Sequence, residues 1–514
     1  MPRERVVVIG AGIGGIVAAV LLSARGIAVT LVERADGPGG KMRQIEIAGT
    51  QIDAGPTVFT LRSVFEEIFA AAGASLSDYV SLRPAKVLAR HAWSANERLD
   101  LFPDIDHSAD AIGVFAGAHD ARAYRDFCDR ARRIYESLDH TFIRTARPSL
   151  KSLVASFGLR GLSDLWQISP FVSLWRTLGG HFRDPRLRQL FGRYATYCGS
   201  SPFMAPATLM LVAHVEREGV WLVDGGMHRL AQALAALATS AGATLRYQSE
   251  AREVIVQGGR VVGVTIAGGE RIDADAVLIN ADTATISSGR LGPDIAGLVP
   301  AVPRSGRSLS AITWAMLAPT RGFPLLRHNV FFSGDYADEF DCIRNGRLSA
   351  QPTVYVCAQN RTDVDSENAA SGPPEALLCL INAPPIGDAR IPETPEINKC
   401  EERTFAQLER CGLRVKRRSE NMVITTPREF ERLYPATGGA LYGPASHGWM
   451  ASFRRAGSRT LIPGLYLAGG STHPGPGVPM AAISGRLAAE AIITDFASTR
   501  RFHPGDMPGG MSMR

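Results

Sequence analysis

The residues best placed to do chemistry stand near the start of the chain. Gly10-Ala11-Gly12-Ile13-Gly14-Gly15 is a G-x-G-x-x-G set between an apolar, β-branched run, Val6 to Ile9, and a helical pattern from Ile16 to Arg25. A turn of this kind holds a dinucleotide diphosphate. Gly10 allows the tight turn, Gly12 lets the diphosphate approach the backbone, and Gly15 lets helix and strand pack closely. The phosphates then meet free N–H groups and the positive end of the helix dipole, with Ile13 and Gly14 in the first turn. A second strand, Ala28 to Val32, closes on Glu33, 23 positions after Gly10, the spacing of an acid that accepts a ribose hydroxyl. Arg34 follows it. The motif alone leaves NAD and FAD both open.

Two further stretches bear on that choice. Gly37-Pro38-Gly39-Gly40-Lys41-Met42-Arg43, then Asp53-Ala54-Gly55-Pro56-Thr57, offer more N–H donors and two cations to a diphosphate. Far downstream, Gly464-Leu465-Tyr466-Leu467-Ala468-Gly469-Gly470-Ser471-Thr472-His473-Pro474-Gly475-Pro476-Gly477-Val478-Pro479-Met480 reads as a strand and a glycine loop that feed a helix from Ala481 to Ile493. A loop rich in glycine and proline that feeds a helix can receive ribityl hydroxyls, a phosphate and the carbonyl edge of a flavin ring. The candidate cofactor contacts are therefore Gly10, Gly12, Ile13, Gly14, Gly15, Glu33, Arg34, Gly40, Lys41, Met42, Gly55, Pro56, Thr57, Gly469, Gly470, Val478, Pro479 and Met480. Val254, in a later β segment, is a candidate for backbone contact with the adenine.

The elements that position these residues are spread along 514 residues, a length that implies two or three domains. Apolar residues make up 45% and charged ones 21%, a globular balance. The net charge of +6 is small for the length and no long basic run occurs, so nucleic acid is not an expected partner. Seven scattered cysteines without a C-x-x-C, eleven scattered histidines and no secretory signal argue for reduced, cytoplasmic thiols and no metal site. No run of 18 apolar residues predicts a transmembrane helix, so membrane contact would be peripheral.

The pattern predicts an α/β protein, α+β overall. A Rossmann-like nucleotide domain is assembled from discontinuous segments, 1–75, 220–285 and 455–496. A helical insertion spans 76–219, an antiparallel-sheet substrate domain spans 286–454, and 497–514 reads as a flexible tail. In the insertion, Leu150 to Phe182 carries a broad apolar face with Trp166, Trp175, Lys151, Arg160 and Arg176. It is either a buried helix pair or a surface helix that dips into a lipid interface. Strands at Ser310 to Leu317, Thr353 to Ala358 and Ala376 to Ile381 are expected to wall a long apolar cavity.

On these residues the chain resembles the bacterial carotenoid desaturases, the phytoene desaturase family. The resemblance rests on Gly10 to Gly15 with Glu33, Gly39-Gly40-Lys41, Asp53 to Thr57, Gly225-Gly226 and Leu467 to Met480, and it covers nearly the whole length. Arg186 to Tyr197 and Tyr442 to Met450 look more like the branch that desaturates 1-hydroxycarotenoids at C3–C4 in purple phototrophic bacteria. Lys41 departs from the arginine common in the family; it keeps the charge and loses a bidentate donor.

The resemblance implies FAD, a hydrophobic carotenoid substrate, a membrane surface as partner and hydride transfer to flavin N5 with proton loss. A delocalised polyene cation would stabilise itself, so no strong protein base is required. His447, Trp449 and His473 are candidates for shaping the reaction end. Arg193, Tyr194 and Tyr197 are candidate partners for a hydroxylated chain end at the closed end of the cavity. A phytoene desaturase, a carotenoid isomerase, an amine oxidase and a non-enzymatic prenyl carrier on the same fold are the alternatives.

Overall fold

The computed structural model describes residues 3–146, 172–361, 373–389 and 394–502. Its first sheet has five strands in the order Leu465–Leu467, Ala276–Ile279, Arg5–Ile9, Ala28–Val32 and Thr244–Arg246, every pair parallel. Parallel strands are covered on both faces, which is why Val6, Val7, Val8 and Ile9 form an unbroken apolar run and are all buried. Helix Ile13–Ser23, apolar on every side, packs between helices His228–Ser240 and Val478–Phe502. The first and last glycine loops therefore open neighbouring helices, although more than four hundred residues separate them in sequence. The last helix continues past Ile493 to Phe502, so the residues expected to begin a flexible tail at 497 begin as helix.

The apolar run 272–280 is divided between two sheets. Arg271–Asp273 closes a three-stranded antiparallel sheet with Ala251–Gln257 and Arg260–Ile266, and Ala276–Ile279 enters the parallel sheet. Ala274 and Asp275 are the corner, where the Asp275 N–H donates to Arg5 O.

The second large sheet has seven strands: Met422–Thr425, Ser310–Ala318, Glu375–Ala383, Val354–Ala358, His328–Phe331, Ala89–Ala92 and Arg98–Leu101. All pairs are antiparallel except His328–Phe331 with Ala89–Ala92. The segment expected as a helical insertion thus lends two strands to the sheet of the 286–454 segment. On one face Ile312, Trp314 and Met316 pack with Phe405 and Leu408 of helix Thr394–Arg410. The other face turns Thr313, Tyr355, Leu378, Leu380 and Asn382 to a cavity.

Of the apolar stretch Leu150 to Phe182, the residues up to 171 lie outside the described residues. Leu174, Leu178 and Phe182 are buried against Phe127 and Phe191. Among the described residues no helix is long and apolar enough to cross a membrane.

Candidate functional site

A cavity of about 1610 Å³ runs from the first glycine turn to the seven-stranded sheet. Sites for one small ligand span about 300–1,000 Å³, so this space accommodates a dinucleotide and a second ligand together.

At the nucleotide end the cavity is lined by Gly10, Gly12, Ile13 and Gly14. Helix Ile13–Ser23 starts from Gly12 with no side-chain cap, so its first N–H groups are left for a ligand. The space a side chain at Gly12 would need is taken by Asn280, whose Nδ2 would lie 2.8 Å from an added Cβ. Asn280 Nδ2 also donates to Gly10 O at 3.2 Å. A side chain at Gly12 would thus displace the Asn280 amide as well as block the approach of a diphosphate. Nothing in the sequence signals Asn280 beyond its place at the end of an apolar strand.

Glu33 is fixed by two backbone donors, Ala11 N to Oε2 at 2.7 Å and Ala35 N to Oε1 at 2.8 Å. Both oxygens keep a lone pair for a ribose hydroxyl. Arg34 lines the cavity and donates to Arg432 O and Leu433 O. Of the two cations expected for the diphosphate, only Lys41 faces the cavity. Its Nζ donates to Leu441 O at 2.6 Å, and burial pulls its pKa down against the attraction of Asp282. Arg43 is not a lining residue: it donates to Thr425 Oγ1 at 3.0 Å and lies over the Phe430 ring. Gly40, Met42, Gly55, Pro56 and Thr57 all line the cavity. The buried Asp53 carboxylate accepts from Met227 N at 2.6 Å and from His228 N at 3.3 Å, which ties this loop to the start of helix His228–Ser240.

Val254 does not reach the cavity. Its N–H donates to Leu291 O at 2.9 Å and its side chain is buried; Ser249, Glu250, Ala251 and Arg252 line the wall in its place. The chain meets the cavity where it enters this strand, and at Val254 the backbone N–H is already taken by Leu291 O.

From the opposite side Gly469, Gly470, Val478, Pro479 and Met480 line the cavity. Arg455, 7% exposed, braces this loop: it donates to Gly470 O at 3.2 Å, to Pro444 O at 2.7 Å and to Ser446 Oγ at 3.4 Å. Desolvation pushes its pKa down to about 10. It is a buried cation that composition and motif did not reveal.

Beyond the nucleotide end the lining becomes largely apolar, with Leu138, Phe142, Ile143, Val172, Leu209, Leu211, Val212 and Val215. Arg193 and Tyr197 line it, and Arg193 Nη1 donates to Tyr197 Oη at 2.9 Å. Tyr194 does not: its hydroxyl donates to Glu216 Oε2 at 2.6 Å behind the wall. Successive turns of the segment Arg193–Cys198 send Arg193 and Tyr197 one way and Tyr194 another. Glu216, missed in the sequence because it ends an otherwise ordinary helix, lines the cavity and also accepts from Tyr197 Oη at 3.1 Å. Burial raises its pKa, opposed by the bond from Tyr194 and the charge of Arg193.

Of the three residues expected at the reaction end, only Trp449 is a lining residue. His447 accepts from Ser201 N at 3.2 Å, and burial lowers its pKa. His473 is 3% exposed, with Nε2 on Phe142 O at 2.9 Å, and desolvation pushes its pKa down to about 4. Both brace loops. Among the described residues no group of three or more metal-ligating side chains occurs.

The arrangement fits FAD. An uncapped helix start, a fixed carboxylate and a second loop on the facing wall are the donors and acceptors that a diphosphate, a ribose and a ring edge require. A model of the flavin-containing amine oxidoreductases matches residues 13–493. The chain is 56% identical to a hydroxyneurosporene desaturase of Rubrivivax gelatinosus over 99% of its own length and 97% of the relative's. It is 43% identical to one of Cereibacter sphaeroides, over 97% and 99%. A solved structure of putrescine oxidase with putrescine bound superposes with a TM-score of 0.59 at 15% identity, covering 96% of this chain and 99% of that one, which speaks to fold alone. With glycine loops that meet across one cavity, and with likeness over its whole length, the chain is an FAD-dependent oxidoreductase and belongs to the flavin-containing amine oxidoreductases and, within them, to the carotenoid desaturase family.

Proposed function

We propose that the protein desaturates an acyclic carotenoid, introducing the C3–C4 double bond of a 1-hydroxycarotenoid. The observation that carries this reading is the continuity of one cavity, polar where the glycine loops meet and apolar from Leu138 to Val215. The names of the two relatives point to the same substrate class.

Bound FAD supplies a hydride acceptor, so that a saturated C–C bond loses a hydride and a proton and becomes C=C. The chain's own part is placement. The apolar wall, with Leu378 and Leu380 of the large sheet, orients the polyene and keeps water from the reacting carbons. Glu33 and the open start of helix Ile13–Ser23 hold the nucleotide, and the loop Gly469 to Met480, braced by Arg455, closes on it. In this reading segments 1–75, 220–285 and 455–496 serve the cofactor, and the rest of the chain builds the substrate cavity. A hydrocarbon of this kind is delivered from lipid, so we assign a peripheral contact with a membrane surface.

The test is conversion by the purified holoprotein, with an electron acceptor such as a quinone or oxygen supplied. 1-Hydroxyneurosporene should gain one conjugated double bond, seen as a red shift of its absorption. Conversion of phytoene alone would sink the assignment.

A further inference from the structure

A cavity that holds only hydrocarbon has no use for a buried guanidinium, whose desolvation is costly. Arg193, half-buried, lines this one and is in large part withdrawn from water. Its one hydrogen bond among the described residues is to Tyr197 Oη, and no carboxylate there lies within ion-pair distance of it. It lies instead over two phenol rings, 5.0 Å from the centre of Tyr197 and 5.4 Å from that of Tyr355. The guanidinium therefore keeps N–H donors for something else.

The bonds around it have a fixed direction. Tyr194 and Tyr197 donate to the two oxygens of Glu216, at 2.6 and 3.1 Å. With its proton committed to Glu216 and one lone pair taken by Arg193, Tyr197 Oη has one lone pair left. The pair Arg193 and Tyr197 thus presents N–H donors beside one acceptor, a combination that can both donate to and accept from a hydroxyl group.

The place of the pair matters as much as its chemistry. Tyr355 Oη lies 2.7 Å from Thr57 Oγ1, and Thr57 follows Gly55 and Pro56 on the loop that lines the nucleotide end. A hydroxyl on C1 is only three bonds, each about 1.5 Å, from C3. A receptor for it must therefore sit beside the site of hydride removal and not at the remote end of the cavity.

We propose that Arg193 and Tyr197 are the receptor for the terminal hydroxyl of the carotenoid, next to the loop Asp53 to Thr57, and that Glu216 is a positioning residue that sets the direction of the Tyr197 hydroxyl. The proposal rests on the 1-hydroxycarotenoid reading above. It makes the enzyme selective because an analogue without the hydroxyl leaves the free Arg193 donors unanswered inside the cavity.

The test compares 1-hydroxyneurosporene with neurosporene in the wild type and in Tyr197→Phe, Arg193→Met and Glu216→Gln, all as holoenzymes with FAD content and unfolding temperature checked. The ratio of kcat/KM for the two carotenoids should fall about 10- to 100-fold in Tyr197→Phe and in Arg193→Met, the loss of one hydrogen bond to a charged or charge-oriented group. Glu216→Gln should raise KM for the hydroxylated substrate with a smaller change in kcat, because the amide turns the Tyr197 hydroxyl without touching substrate. An unchanged ratio in both Tyr197→Phe and Arg193→Met, or parallel loss on the two carotenoids, overturns the proposal. Equilibrium binding of both carotenoids is measured alongside. A wild type that binds but does not convert refutes the function, while the binding ratio still decides the receptor.

Discussion

Three buried histidines make the fold sensitive to mild acid. His91 and His328 are each 4% exposed and His473 3%. Burial, with positive charge nearby, pushes the first two down to about 3 and the third to about 4, against 6.5 for an ordinary histidine. All three are neutral in the folded protein at pH 5, whereas the unfolded chain takes up a proton on each. Their contribution to stability is complete above pH 6.5 and is lost as pH falls toward the folded values. From pH 7.5 to 5 each costs about 2 kcal/mol, about 6 kcal/mol together. Glu339 works the other way. It is 1% exposed, and burial raises its carboxyl from 4.5 to about 7, so the folded state holds that proton first and gains about 2 kcal/mol over the same interval. The raised Glu216 acts in the same direction. The histidines outweigh Glu339, and a net loss of stability between pH 7.5 and 5 is expected, from a total of about 5–15 kcal/mol. His473→Gln isolates one contribution, since an amide nitrogen can still donate to Phe142 O. Denaturant unfolding of the holoprotein at pH 7.5, 6 and 5 should show the variant losing about 2 kcal/mol less than the wild type at pH 5. Superposable pH profiles for variant and wild type would refute the burial argument.

Two further outcomes follow from the nucleotide end. Glu33→Gln puts an amide where Ala11 N and Ala35 N now find a carboxylate, and it should weaken FAD binding by about 10- to 100-fold, read by titrating apoprotein against flavin fluorescence; undiminished affinity would remove Glu33 from the site. Arg455→Met strips the donors that join Pro444 O to Gly470 O, so FAD should be retained less well and the unfolding temperature should fall by several degrees, whereas Arg455→Lys should recover part of both.

The nucleotide half was legible because its signals are local. The G-x-G-x-x-G, the strand before it and Glu33 after it lie within about thirty residues, and backbone geometry dictates each one. The loop at Gly469 was legible for the same reason, as another strand, turn and helix. The strands of the large sheet could be placed individually, but not the two, Ala89–Ala92 and Arg98–Leu101, that join it from a distant segment. In the site, Arg43, Tyr194, His447 and His473 are expected from residue type and Val254 from its place in a strand, and none of the five lines the cavity. Asn280, Glu216, Tyr355 and Arg455 do line it and carried no sequence signal.

The sequence by itself determined a dinucleotide fold, the flavin-type pairing of its first and last glycine loops and, through family resemblance, the chemistry. Those depend on short-range rules: side-chain period, turn residues and the open N-terminus of a helix. Only the tertiary structure decided which polar groups share the cavity with the substrate. Arg193 and Glu216 are 23 residues apart, and Thr57 and Tyr355 are about three hundred apart. Whether such residues meet depends on the register of strands and the rotation of helices, where a shift of one position carries a side chain from the cavity to the core.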